Sequence, residues 1–228
     1  MNRDEIRAAL KDMADADFFK FHAALCPGCH NILGIRTPKL KAFAKTLSKE
    51  TDILNYMNAP LLDYAEEVML FGFVLANLKM TEEKRLPYLK TFVTHITSWA
   101  VCDSPVSAFK FIKKNRSFYE PVIKIYLKSD KEYEIRFAIV ALLDHYMTAD
   151  YIDDILNIMS TIHHDAYYVK MAAAWTLSIC YIHFPEKTLP LLEAKTLDTF
   201  IHNKTIQKIC ESLRVKKEDK EMLRGLRK

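Results

Sequence analysis

Apolar residues recur at three- and four-residue spacing along nearly the whole chain, and the sustained alternation of a β-strand is almost absent. The pattern predicts helices over 3–14, 16–25, 37–48, 51–57, 60–77, 82–96, 105–114, 116–127, 131–147, 150–161, 166–183, 186–194, 203–213 and 217–226. Two starts carry a local signature. Thr37-Pro38 and Ser104-Pro105 each place a capping-type residue ahead of a proline whose missing N–H costs nothing in a first turn. Pro121 falls inside the 116–127 span and offers that helix a second possible start. Short helices joined by a few residues must pack antiparallel to their neighbours, so the fold class predicted is all-α, an α-solenoid of degenerate helix pairs. No strict sequence period accompanies it, and a non-repeating helix bundle fits the same periodicity.

Two helices are informative in their faces. Over 131–147, Ile135, Ala138, Ile139, Leu142 and Tyr146 form a core stripe, while Glu132, Arg136 and Val140 follow another line, so Arg136 is not forced into the core. Over 166–183, Val169, Ala172, Ala173, Thr176 and Cys180 form a small-residue face that admits a close neighbour. Tyr168, Met171, Trp175 and Ile182 form a bulky one. That helix lacks a polar face and should be substantially buried or line a groove.

The chain has 228 residues, half of them apolar, enough for a large core without disulfide or metal staples. With only four glycines and eight prolines, and no linker-like stretch, it reads as a single domain over 1–228. The start carries charges every few residues and lacks the apolar stretch of a signal peptide, and no later run approaches the roughly 18 apolar residues of a membrane span. A cytoplasmic protein without membrane contact is the expectation. Five scattered cysteines fit a compartment where thiols stay reduced. The net charge of +4 is too small to argue for nucleic acid, but its distribution is uneven. From Asn203 to Lys228 there are nine basic residues against four acidic ones, which leaves the rest of the chain near neutral.

Few motifs carry chemistry. Cys26-Pro27-Gly28-Cys29-His30 matches the C-x-x-C-H of haem attachment and half of a zinc site. The first needs an exported protein, and the second needs ligands that Cys102, Cys180 and Cys210 do not supply at suitable spacing, so the string reads as a turn and no metal is expected. His163-His164 has no partner at metal-ligand spacing, and phosphate loops, nucleophile elbows and H-E-x-x-H helices are absent. What remains is Ser98-Trp99-Ala100-Val101-Cys102-Asp103-Ser104. Trp99 and Asp103 are four apart, so on a helical turn indole and carboxylate project from one side. A core tryptophan beside an aspartate that caps a helix opening at Pro105 is the other reading.

Four strings in order resemble one family. Asn31-Ile32-Leu33-Gly34-Ile35-Arg36-Thr37-Pro38 is similar to its N-terminal segment, and Ser98-Trp99 followed by Asp103 to its catalytic block. Glu134-Ile135-Arg136-Phe137-Ala138-Ile139 is similar to the segment with its arginine, and Lys170-Met171-Ala172-Ala173-Ala174-Trp175 to the one with its second tryptophan. On these strings, about residues 30 to 213, the chain resembles the AlkD-type HEAT-like-repeat DNA glycosylases. The resemblance implies a superhelix whose concave basic groove holds duplex DNA, and excision of cationic N3- or N7-alkylated purines without metal or nucleotide cofactor. It assigns catalytic roles to Trp99, Asp103 and Trp175 and a phosphate contact to Arg136; Lys170, Lys204 and Lys208 are further candidate phosphate ligands. Trp99 and Trp175 should lie on the groove floor, flanked by the C-terminal basic segment and by Lys110, Lys113, Lys114 and Arg116. No obligate protein partner is evident, and a monomer is expected. Two departures stand out. Ahead of Gly34 the helix from Ala16 to Leu25 and the Cys26–His30 turn replace helical material that enters the minor groove in active members, and Ala100 stands where some of them have a second consecutive tryptophan. Paralogues that keep the fold without alkylpurine excision make a non-catalytic binding module the alternative.

Overall fold

The computed structural model describes residues 1–26, 29 and 31–228. The described residues form fifteen helices and no strand, in two compact units, Met1–Val122 and Ile123–Lys228. No helix among them is long and apolar enough to cross a membrane.

The first unit contains α1 (Arg3–Asp12), α2 (Ala16–Leu25), α3 (Thr37–Leu47), α4 (Ile53–Asn58), α5 (Ala65–Asn77), α6 (Glu82–Thr94), α7 (Trp99–Val106) and α8 (Lys110–Lys114). Its hub is α5, which packs against α1, α3, α6 and α7 and is buried on every face from Ala65 to Leu75. Two acids open that helix. The Glu66 carboxylate, wholly buried, accepts hydrogen bonds from the N–H groups of Leu33 (2.9 Å), Gly34 (2.8 Å) and Ile35 (3.2 Å). Three successive amides can converge on one carboxylate because Gly34 has φ +83°, which turns the backbone into an anion-binding nest. A side chain at Gly34 would also strike Phe19 and the Asp15 carbonyl. Glu67 accepts from the N–H groups of Asp63 and Tyr64, and Arg7 of α1 grips it through Nε and Nη2. That capping explains why helix begins at Ala65 and not at residue 60.

The expected helix over 105–114 is instead two. Ser98 caps α7, its hydroxyl accepting from the Val101 N–H at 3.3 Å, so the helix opens at Trp99 and Pro105 falls in its second turn. The cost of that proline is small because the helix ends at Val106, so little ladder remains to lose. Asp103 is thus mid-helix and is not the cap of a helix starting at Pro105. Thr37 is likewise inside α3, whose flanking residue Arg36 provides no side-chain cap. Gly72 lets α7 approach α5, since a Cβ there would lie 2.7 Å from Pro105 Cβ and 2.8 Å from the Phe92 ring.

α9 (Arg116–Tyr126) contributes residues to both units and keeps Pro121 inside it. The second unit continues with α10 (Glu132–His145), α11 (Ile152–Thr161), α12 (Tyr167–His183), α13 (Pro185–Glu193), α14 (Thr199–Glu211) and α15 (Lys217–Arg224). Here α12 is the hub. It packs on α10 and α14 on either side, with α11 and α13 behind, the nearest-neighbour pattern of stacked helix pairs. Its small-residue face, Val169, Ala172, Ala173, Thr176 and Cys180, is sealed, while Tyr168, Met171, Trp175 and Ile182 stay half-exposed, as the sequence pattern predicts. α10 departs from expectation. It is buried all round from Ile135 to Leu143, and Arg136 is only 5 % exposed. Flanking contacts cover more of that helix than its single apolar stripe implies. α14 begins at Thr199, not 203, because the Asp198 side chain caps it through the Phe200 and Ile201 N–H groups. The C-terminus is tied down by His202, whose Nε2 lies 3.0 Å from the Leu226 carbonyl, and by the mutual bonds of Asn203 and Lys228.

Two outcomes follow. Gly72→Ala should cost about 1–3 kcal/mol by overpacking the α5–α7 contact, measured by denaturant unfolding; an unchanged midpoint would show that this approach is not tight. Burial above all holds the His202 imidazole below its ordinary pKa of 6.5, and its buried Nδ1 has no hydrogen-bond partner. The unfolded chain therefore binds the extra proton first, so this stabilisation is complete above pH 6.5 and is lost as pH falls below it. His202→Gln should reduce the loss of thermal midpoint between neutral and mildly acidic pH; an identical slope in both proteins would contradict the assignment.

Candidate nucleic-acid interface

In the first unit α7 turns Ala100, Val101, Cys102, Pro105 and Val106 into the core, and this leaves Trp99 and Asp103 together on its half-exposed side. The Trp99 ring is oriented by its Nε1–H, which donates to the Leu25 carbonyl at the end of α2 at 3.1 Å. Next in the chain is Cys26, whose thiol is pushed above its ordinary pKa, chiefly by burial and also by the neighbouring Cys29 and Asp103. The end of α2, the indole and the carboxylate therefore form one local group. Pro27, Gly28 and His30 of the expected turn lie outside the described residues, among which no cluster of His, Cys, Asp or Glu could hold a metal ion. Lys110, Lys113 and Lys114 of α8 are exposed, and Arg116 is half-buried.

In the second unit Arg136, Lys170 and Lys204 lie in the first two turns of α10, α12 and α14, while Lys208 lies in the last turn of α14. Arg136 Nη1 donates to the Tyr168 carbonyl at 2.7 Å, with its guanidinium 5.9 Å from the Tyr168 ring centroid. From Tyr168 the half-exposed line of α12 continues through Met171 to Trp175. Lys208 is half-buried, its pKa lowered first by burial and further by Lys204 and Arg136, which places these three cations within one another's field. Lys170 differs: its ammonium pairs with Asp198 at 3.4 Å, and although burial raises the Asp198 carboxyl, the Ile201 N–H, Lys170 and the Phe200 N–H together hold it below its usual range. A half-buried group of positive charge with a bulky apolar line beside it suits a polyanion that carries flat rings.

A row of aromatic side chains among those cations was not anticipated. Tyr133, Tyr168, Tyr167 and Phe200 follow one another at centroid distances of 6.0, 5.1 and 5.6 Å. The signal was present in the sequence as aromatic–cation pairs three or four residues apart: Tyr133 with Arg136, Tyr167 with Lys170, Phe200 with Lys204.

An all-α chain of packed helix pairs, with an indole and a carboxylate on one short helix and a basic, aromatic surface elsewhere, is the class of protein found here. The chain belongs to the family described as DNA alkylation repair enzyme, whose profile matches residues 6–211. That family's role is the repair of alkylated DNA, and DNA is the partner it implies. No curated protein and no solved structure matches the chain.

The Trp99 hydrogen bond can be checked directly. Trp99→Phe keeps an aromatic ring but strands the Leu25 carbonyl, and should lower unfolding stability by about 1 kcal/mol. The chain has only two tryptophans, so the emission of the variant reports Trp175 alone. Undiminished stability in Trp99→Phe would mean that the bond does not hold the ring.

Proposed function

We propose that the protein is a monofunctional DNA glycosylase that excises cationic N3- or N7-alkylated purines from duplex DNA. The observation that carries the reading is the pairing of Trp99 and Asp103 on the half-exposed side of α7 in a member of the DNA alkylation repair family. An alkylated purine already bears a positive charge, and departure of the base takes the bonding electron pair with it and neutralises that charge. The demand on the protein is therefore at the sugar, where an oxocarbenium-like cation develops and water adds to C1′ to leave an abasic site. Asp103 supplies the fixed negative charge beside that cation. Trp99 supplies a flat, electron-rich wall beside that sugar, and Trp175 is the second indole proposed for catalysis. Arg136, Lys170, Lys204 and Lys208 are the proposed ligands of backbone phosphates. The chemistry calls on no metal and no nucleotide. In this reading the chain acts as one solenoid domain, a cytoplasmic monomer with no protein partner. A non-catalytic DNA-binding module is the second reading, favoured by Ala100, a small buried residue where some active members carry another indole.

Release of 7-methylguanine or 3-methyladenine from methylated duplex DNA is the deciding assay. Asp103→Asn should preserve DNA binding while excision falls at least about a hundredfold, because the lost charge acts on the transition state and not the ground state. Since Asp103 caps no helix, full activity in this variant would remove it from the mechanism. Salt-dependent DNA binding by wild-type protein that frees no base would favour the second reading. Lys204→Ala and Lys208→Ala should each flatten the dependence of binding on salt by about one phosphate contact; an unaltered slope would exclude that lysine from the interface.

A further inference from the structure

The aromatic row lies where α10, α12 and α14 begin side by side, and its chemistry goes beyond holding a duplex backbone. Tyr133 and Tyr168 are stacked, with 29° between their planes, and Tyr167 meets Tyr168 and Phe200 at 80° and 63°, so neither neighbour lies parallel to it. Tyr167 is 54 % exposed, a large open ring at the centre of the row. Cations border the rings: Arg136 stands over Tyr168, Lys204 lies 5.9 Å from the Phe200 centroid, and Lys170 is one turn beyond Tyr167.

Two carboxylates in the same place are engaged. Glu132 accepts the Tyr168 N–H at 2.7 Å, and Asp198 pairs with Lys170 while capping α14. Lys170 and Lys204 thus lie beside an exposed aromatic row that also carries the carboxylates of Glu132 and Asp198. A paired duplex offers such a surface phosphates and sugars, because its base faces are covered by their stacked neighbours. Only an unpaired nucleotide offers a π-face for the rings and a phosphate for the cations in the same step, which is the composition of single-strand platforms.

We infer that the N-terminal ends of α10, α12 and α14 form a stacking platform for unpaired nucleotides, with Tyr167 as the principal ring and Lys204 on the adjoining phosphate. The platform selects DNA that carries a gap or a displaced strand over intact duplex. This rests on the reading that the surface takes DNA but does not depend on base excision.

The test is anisotropy titration of the full chain with a blunt duplex, with the same duplex carrying a short single-stranded thymidine gap, and with oligothymidine alone. Wild-type protein should prefer the gapped form to the blunt one. Tyr167→Leu, alone and with Phe200→Leu, should lower affinity for gapped DNA and oligothymidine by roughly tenfold and leave blunt-duplex affinity unchanged. Tyr167→Phe, which keeps the ring, should bind as wild type does and so separates stacking from a folding defect. Lys204→Ala should weaken all three. Equal wild-type affinity for blunt and gapped duplex would overturn the inference, as would a Tyr167→Leu variant that loses both in the same proportion. Displacement of gapped DNA by polyglutamate as effectively as by oligothymidine would also overturn it, since the surface would then be an anion site only. Retained gap preference in a protein that frees no alkylated base would contradict the glycosylase proposal and leave the platform standing.

Discussion

The first unit depends on a carboxylate that has no water. A carboxylate as deeply buried as that of Glu66 costs several kcal/mol when it has no partners. Three backbone N–H groups of residues 33–35 surround it, and it occupies the first turn of α5, where the helix field favours negative charge. The consequences spread outward. The bend that presents those amides requires Gly34, whose carbonyl accepts the Asp15 N–H and whose hydrogen-only side chain admits Phe19. α2 is thereby positioned, and its last carbonyl, that of Leu25, receives the Trp99 indole. One buried charge on the hub helix and one indole on the half-exposed side of α7 are thus joined by a short chain of direct contacts.

The second unit is organised by shape more than by charge. The small residues of α12 let α10 and α14 come close on both sides, and this brings the three N-terminal ends together. Cations and rings at the start of each helix then become neighbours although they are far apart in sequence. Burial chiefly disfavours the charged form of Lys208, with Glu211 opposing that effect and Lys204 and Arg136 adding to it.

Much of this was legible in the sequence. Helix periodicity located nearly every element, and the alternation of small and bulky residues on 166–183 foretold which side of α12 is sealed and which is half-open. Four separated strings were enough to recognise the family. The failures have local causes. Ser104-Pro105 looks like a helix start, but the true cap is Ser98, six residues earlier, because the apolar run that needs covering begins at Trp99. Glu66 and Glu67 look like solvated acids of a first turn, since the partners that bury them, the loop at 33–35 for Glu66 and Arg7 for Glu67, are distant in the chain. Arg136 lies off the apolar stripe of its helix yet is buried, because helices pack on more than one of its sides. The aromatic row required knowledge of which helix ends are adjacent, and local periodicity does not contain that.

The central claim is that Asp103 serves a positive charge on the sugar. Its most direct test is the affinity of the protein for duplex DNA bearing a cationic pyrrolidine in place of one deoxyribose, compared with the same duplex bearing a neutral tetrahydrofuran. Wild-type protein should bind the cationic analogue at least about tenfold more tightly, and Asp103→Asn should bind the two alike. Equal affinity of the wild-type protein for both analogues, or an undiminished preference in Asp103→Asn, would contradict the account.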